Sequence, residues 1–182
     1  ASYCDTISTL PEKSFLNKNL INLTDINDIS FDELFGKETL KVEYPTIKKF
    51  KNSRVLITGG AGSIGSEITK QVTNSNPKEI IVLDHSELNI YRISNRLKDY
   101  KVKLILGDIK DEDLVKSIIT KYKINYIFHA AAYKHVKFIE ENIYSSFKNN
   151  VVGTYNLLKS IEGQKINFIF VSTDKAVNPK NI

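Results

Sequence analysis

Four glycines fall within seven positions in the stretch TGGAGSIG, residues 58–65, directly after the apolar run Val55-Leu56-Ile57. Gly60, Gly62 and Gly65 keep a G-x-G-x-x-G spacing, and Thr58, Gly59, Gly62 and Gly65 keep the related T-G-x-x-G-x-x-G spacing. A chain that leaves a buried strand, turns at once and enters a helix needs residues without Cβ atoms. They make the turn, let main-chain N–H groups approach a ligand, and let the helix pack close to the strand. A helix opening at Ser63-Ile64-Gly65 then points its positive end at a diphosphate. Nineteen positions after Gly65, Asp84 closes the next apolar run. A carboxylate there accepts hydrogen bonds from an adenosine ribose. It also repels a 2′-phosphate, which favours NAD over NADP. Asp108 ends the third apolar run, and with Ile109 it is placed to meet the adenine. The competing role for both carboxylates is to cap the helices that follow them.

Two further stretches are polar where a strand should end. In HAAAYKHVKFIEEN, 129–142, the small Ala130, Ala131 and Ala132 leave room for a cofactor, and Tyr133, Lys134 and His135 project just beyond. In VSTDKAVNPKN, 171–181, Ser172, Thr173, Asp174 and Lys175 gather hydroxyls, an acid and an amine on one strand end. Unpaired charge is costly there unless a site uses it. His85 either stacks near the adenine or starts a surface helix, and His129 reads as a core histidine. No two histidines have metal-ligand spacing, and no metal is predicted.

The elements that must hold these residues are legible as an alternation. RVLIT (54–58), EIIVLD (79–84), VKLILGD (102–108), YIFHA (126–130) and NFIFVST (167–173) are short and apolar almost throughout, as strands covered on both faces are. Between them, Ile64, Ile68 and Val72, then Leu114 and Ile118, then Val151, Tyr155, Leu158 and Ile161, recur at helical spacing, each set expected to face the core. Strand, helix, strand, repeated, implies crossovers between parallel strands and an α/β, doubly wound parallel sheet of Rossmann type, order 3-2-1-4-5. Residues 1–50 are richer in Asn, Asp, Ser, Thr and Lys and read as an irregular arm with a short helix near 30–36; residues 51–182 read as the NAD-binding domain.

Composition narrows the function classes. The chain has 182 residues, 41% hydrophobic and 26% charged, which suits one globular domain. The net charge of +5 comes from scattered lysines rather than a basic block, so no nucleic-acid partner is predicted. Cys4 is the only cysteine, which excludes an internal disulfide and a cysteine zinc cluster and fits a cytoplasmic setting. No apolar run approaches the roughly 20 residues of a membrane helix, and the first residues lack a signal-peptide layout.

Taken together, TGGAGSIGSEI, LDHSELNIY, GDIKD, FHAAAYKHV, EEN, NNVVGTYNLL and VSTDKAVNP resemble, in order and spacing, the inverting nucleotide-sugar 4,6-dehydratases of the extended short-chain dehydrogenase/reductase superfamily. The nearer likeness is to the polysaccharide-biosynthesis branch acting on UDP-N-acetylglucosamine. It covers residues 54–182, and ISFDELFGK (29–37) resembles the arm that precedes the fold in that branch. The resemblance implies a redox-neutral dehydration: NAD takes a hydride from C4 of the sugar, water leaves across C5–C6, and the hydride returns to C6. It puts Asp174 at the acid position, Lys175 at the base position and Thr173 at a hydrogen bond to C4. A lysine base there, rather than glutamate, goes with inversion at C5. Asn150 matches the asparagine of the helix beneath the active site and, with Ser172, joins the cofactor-binding set. Lys134 and His135 fall on the UDP-sugar side, a surface ion pair being the competing role for Lys134.

The sequence departs from the family at Lys137, where proline is usual. By the family pattern, the catalytic tyrosine (or its methionine substitute) and a downstream lysine would follow Ile182. The chain is therefore expected to be the cofactor-binding half of an enzyme, cut after its fifth strand, unable to turn over sugar alone and homo-oligomeric when full length. Its parent is expected in the cytoplasm or at the cytoplasmic face of the inner membrane. A nucleotide-sugar 4-epimerase and a non-catalytic NAD-binding module are the alternatives.

Overall fold

The computed structural model describes residues 8–9, 27–28, 48–98, 100–173 and 179. The chain divides into two compact units, Ala1–Glu43 and Tyr44–Ile182. In the first, Ser8–Thr9 pairs antiparallel with Asn27–Asp28. The helix expected over 30–36 lies outside the described residues, as do Asp174 and Lys175.

The second unit carries β1 (Arg54–Thr58), β2 (Glu79–Asp84), β3 (Val102–Leu106), β4 (Tyr126–His129) and β5 (Asn167–Phe170). All neighbours are parallel and the order is β3-β2-β1-β4-β5, the 3-2-1-4-5 sheet that the alternation implies. The crossovers are α1 (Ser63–Thr73), α2 (Glu87–Arg96) and α3 (Glu112–Tyr122). After β4 come α4 (Val136–Glu141) and then α5 (Ile143–Phe147), a π-helical stretch (Lys148–Gly153) and α6 (Thr154–Ser160), which follow one another without a break.

Each face of the sheet has its own core. Val55, Ile57, Ile80 and Val82 pack with Val72 and Ile68 of α1 and Ile90 of α2. On the other face Leu56, Ile81, Leu83 and Ile127 pack with Val115, Ile118 and Ile119 of α3 and Leu157 of α6. Fully burying a side chain of this size contributes about 1.5–3 kcal/mol, so the central strands anchor the unit. Phe50, in a single 3₁₀ turn at Lys48–Phe50, stands edge-on to Tyr126 and Phe128 with ring centroids 5.0 and 5.5 Å apart.

Three expectations need correction. The outer strands are not covered on both faces: Leu106 of β3 and Phe170 of β5 are each more than half exposed, because each strand lies at an edge. Ile64 is 54% exposed in the first turn of α1, while Ile68 and Val72 pack inward. The third helical set is misplaced except for Ile161, which packs on the core. Val151, Tyr155 and Leu158 are 51%, 62% and 43% exposed, and the buried side of the helix holds Ser146, Asn149, Gly153, Asn156, Leu157 and Ser160. Small side chains permit the approach: a Cβ at Gly153 would lie 2.7 Å from Ile109 Cδ1. Hydrogen bonds satisfy the polar ones, with Asn156 Nδ2 donating to Lys110 O at 3.1 Å and Ser160 Oγ to Asn156 O at 2.6 Å.

Candidate functional site

The order reverses between β1 and β4, so the loops after these strands diverge and leave a crevice at their carboxyl ends. Gly59 turns the chain out of β1 with φ +64°, and a Cβ there would lie 2.7 Å from Ala131 Cα. The glycine loop and the Ala130–Ala132 segment thus meet backbone to backbone. At Gly65 a Cβ would come within 2.0 Å of Gly59 O, so α1 rests directly on the turn. Gly62 is the N-cap of α1, and no side chain caps that helix, whereas Ser86 caps α2 by accepting from Asn89 N and Asp111 caps α3 by accepting from Leu114 N. The first N–H groups of α1 face a cleft of about 720 Å³ lined by Gly62, Ser63 and Ile64 together with Tyr133, Lys134 and His135. Those donors and the helix dipole suit an anion.

Asp84 is buried at the end of β2. Its Oδ2 accepts from Ala61 N at 3.1 Å and its Oδ1 from Ser86 N at 3.0 Å, so one carboxylate ties the glycine loop to the start of α2. Asp108 Oδ1 accepts from Lys110 N at 2.8 Å, and its Oδ2 lies 3.1 Å from Lys110 Nζ. Because Ser86 and Asp111 are the caps, neither carboxylate has that role. Both line a smaller cleft of about 150 Å³ with His85, Ile109, Ala131 and Asn149. His85 is exposed, 3.9 Å from Asp84 Oδ1 and edge-on to Tyr133. The two clefts share Gly59, Gly62, Asn89, Ala130, Ala132 and Tyr133, so an elongated ligand can run from one into the other along the glycine loop. The residues fit a dinucleotide: a loop that excludes Cβ atoms, uncapped N–H donors for a diphosphate, and an acid beside them for hydroxyls.

Asn150 sits in the π-helical stretch and grips the loop from below. Its Oδ1 accepts from Tyr133 N at 2.8 Å and its Nδ2 donates to Tyr133 O at 3.0 Å, while Asn149 Nδ2 also donates to Oδ1 at 3.0 Å. It is Asn149, not Asn150, that lines the smaller cleft. Ser172 and Thr173 are exposed beyond β5 and line neither cleft. Sequence reasoning passed over Arg92 and Arg96, which line the larger cleft from α2. The available signal was two arginines four apart, on the same helical face as Asn89, in the helix that follows Asp84.

Beneath the loops, His129 is buried between Thr58 and Thr154, with Thr58 Oγ1 2.6 Å from Nδ1 and Thr154 Oγ1 2.8 Å from Nε2. Thr154 donates its own proton to Asn150 O at 2.6 Å, so it accepts from Nε2–H, and Nδ1 accepts from Thr58. Burial pushes the imidazole pKa down from 6.5 to about 4. Because the unfolded chain takes up this proton and the folded chain does not, the contribution is full above pH 6.5 and is lost as the pH falls toward 4. Stability should drop by about 2 kcal/mol from this residue between pH 7 and pH 5. Urea denaturation at the two pH values checks it: His129→Leu is less stable at pH 7 but should show a smaller drop, and an equal drop would rule His129 out as the cause.

Comparison with known proteins adds to this geometry. Residues 55–182 match the model of a family described as polysaccharide biosynthesis protein. The capsular polysaccharide biosynthesis protein CapD of Staphylococcus aureus is 34% identical over 169 residues, covering 89% of this chain and 28% of CapD. A UDP-N-acetylglucosamine 4,6-dehydratase (inverting) of Campylobacter jejuni is 33% identical over 135 residues, covering 73% of this chain and 40% of the enzyme. Among solved structures, UDP-glucose 4-epimerase from Bifidobacterium longum, in complex with NAD+ and UDP, superposes with a TM-score of 0.62 at 26% identity, covering 69% of this chain and 38% of the epimerase. The chain spans 28–40% of the length of these proteins.

Proposed function

The chain belongs to the polysaccharide biosynthesis protein family, and from that premise we propose that it is the NAD-binding part of a nucleotide-sugar 4,6-dehydratase acting on UDP-N-acetylglucosamine with inversion at C5. The observation that carries the reading is the joint held by Asp84, where a glycine loop, an uncapped helix and a buried carboxylate meet at the reversal of strand order. That arrangement suits a diphosphate against Ser63 and Ile64, ribose hydroxyls on Asp84 and an adenine near Asp108 and Ile109. Bound NAD supplies a hydride acceptor and donor.

The family resemblance gives three residues of this chain parts in the steps that follow, while the tyrosine or methionine position that accompanies oxidation at C4 falls after Ile182 in the family pattern. Thr173 hydrogen-bonds the sugar at C4, Lys175 removes the C5 proton once C4 is a ketone, and Asp174 protonates the departing C6 hydroxyl. These three roles, like the UDP-sugar side given to Lys134 and His135, rest on the family resemblance. Asn150 acts by fixing Tyr133 and the loop it belongs to. The relatives' names support nucleotide-sugar chemistry in polysaccharide biosynthesis, and among the described residues no helix is long and apolar enough to cross a membrane. Exposed apolar side chains at Phe147, Val151, Tyr155 and Leu158 support the homo-oligomer.

The test is the product that the protein carrying this chain forms from C4-deuterated UDP-N-acetylglucosamine. A 4-keto-6-deoxy sugar with the label moved to C6 is expected. A 4-epimer with C6 hydroxyl intact would transfer the reading to the epimerases, and NAD binding without turnover would leave a binding module.

A further inference from the structure

The larger cleft is cationic beyond what the glycine loop supplies. Arg92 and Arg96 line it from α2 and Lys134 lines it from the loop after β4, and no aspartate or glutamate is among its lining residues. Among the described residues, no carboxylate lies within 4 Å of any of these three cations, although four lysine–carboxylate pairs form elsewhere among them. Arginines four apart on a helix are one turn apart and share a face, and Asn89, one turn before Arg92, lines both clefts. The face that begins beside the acid-lined cleft therefore continues as two unneutralised guanidinium groups into the cleft that contains Ser63 and Ile64.

Like charges held together without counter-charges raise the local potential, and they attract a multivalent anion more strongly than scattered surface lysines do. Guanidinium groups also donate forked pairs of hydrogen bonds that match phosphate oxygens. The geometry points to Arg92 and Arg96 as a side-chain clamp on the diphosphate of the dinucleotide, acting together with the main-chain donors of α1. This inference deepens the cofactor reading above and rests on it for the identity of the ligand. Its content is that part of the diphosphate affinity comes from α2 side chains, which the glycine fingerprint does not include.

Calorimetric titration of the chain with adenosine, ADP, NAD, NADP and inorganic pyrophosphate tests it, using Arg92→Ala, Arg96→Ala and, as a charge control, Lys98→Ala. Lys98 lies just past the end of α2 and lines neither cleft. Each arginine variant should lose about 10-fold in affinity for ADP and NAD alike, with adenosine unchanged and a shallower dependence on salt; Arg92→Lys should recover part of the loss, and Lys98→Ala should change little. Equal ADP and NAD affinities in wild type and both arginine variants overturn the inference while the cofactor reading stands. A loss confined to NADP overturns it too, by assigning the arginines to a 2′-phosphate. Arginine-dependent binding of pyrophosphate with no binding of NAD upholds the clamp and sinks the cofactor reading. No binding of any of the five sinks both.

Discussion

Gly65→Ala should unfold or strongly destabilise the second unit, whereas Gly62→Ala, three residues earlier in the same motif, should leave it folded and weaken only dinucleotide binding. The difference follows from what each added methyl meets. At Gly65 the new carbon would lie 2.0 Å from Gly59 O and 2.7 Å from Gly60 Cα. Both are backbone atoms of the turn, so no side chain can rotate away, and α1 must withdraw from the strand end. Overpacking of that kind costs about 3 kcal/mol or more, a large share of the stability of a domain this size. At Gly62 the nearest atom is Gly59 O at 3.2 Å, and φ of −72° is open to any residue. Its methyl would project toward the cleft instead, where a diphosphate has to approach the main chain. Urea denaturation and NAD titration of the two variants give the comparison. A Gly65→Ala midpoint that matched wild type would remove the argument that this glycine exists for packing.

The same contrast explains what could be read from the sequence. Strands such as Glu79–Asp84 announce themselves because burial on both faces demands unbroken apolar runs, and the glycines because close backbone approach excludes Cβ atoms. The helix from Ile143 to Ser160 misled because periodicity identifies an apolar face without saying which side the sheet occupies. There the inward side is polar and small, each buried group has a partner, and the π-helical stretch adds a residue that shifts the phase of the pattern. The resemblance sets Asn150 beneath the active site, but its grip on the Tyr133 backbone depends on a contact 17 residues away that no local pattern encodes. Arg92 and Arg96 look like ordinary surface arginines until α2 is seen to border the cleft. For Asp174 and Lys175 the reading rests on the resemblance, since both lie outside the described residues.

Replacement of Asp84 should produce the second large effect, in stability and specificity together. The carboxylate is 5% exposed and holds Ala61 N–H on one oxygen and Ser86 N–H on the other. In Asp84→Ala both part-buried donors lose their acceptor, at a cost of about 3 kcal/mol. Asp84→Asn keeps one acceptor and turns an NH₂ toward the other donor, so its cost should be smaller, about 2 kcal/mol. For the ligand, each remaining lone pair on the carboxylate is a potential acceptor for a ribose hydroxyl, and its charge opposes a 2′-phosphate. Asp84→Asn should therefore lower NAD affinity by about 10- to 100-fold while narrowing or reversing the preference over NADP. Stability and affinity must be measured on the same folded sample, because a carboxylate serving only the backbone would reduce the first and spare the second. If folded Asp84→Asn bound NAD as tightly as wild type, with the same ratio to NADP, Asp84 would be a structural joint alone. The ribose would then need another acceptor, and Asp108, on the same smaller cleft, would be the next to test.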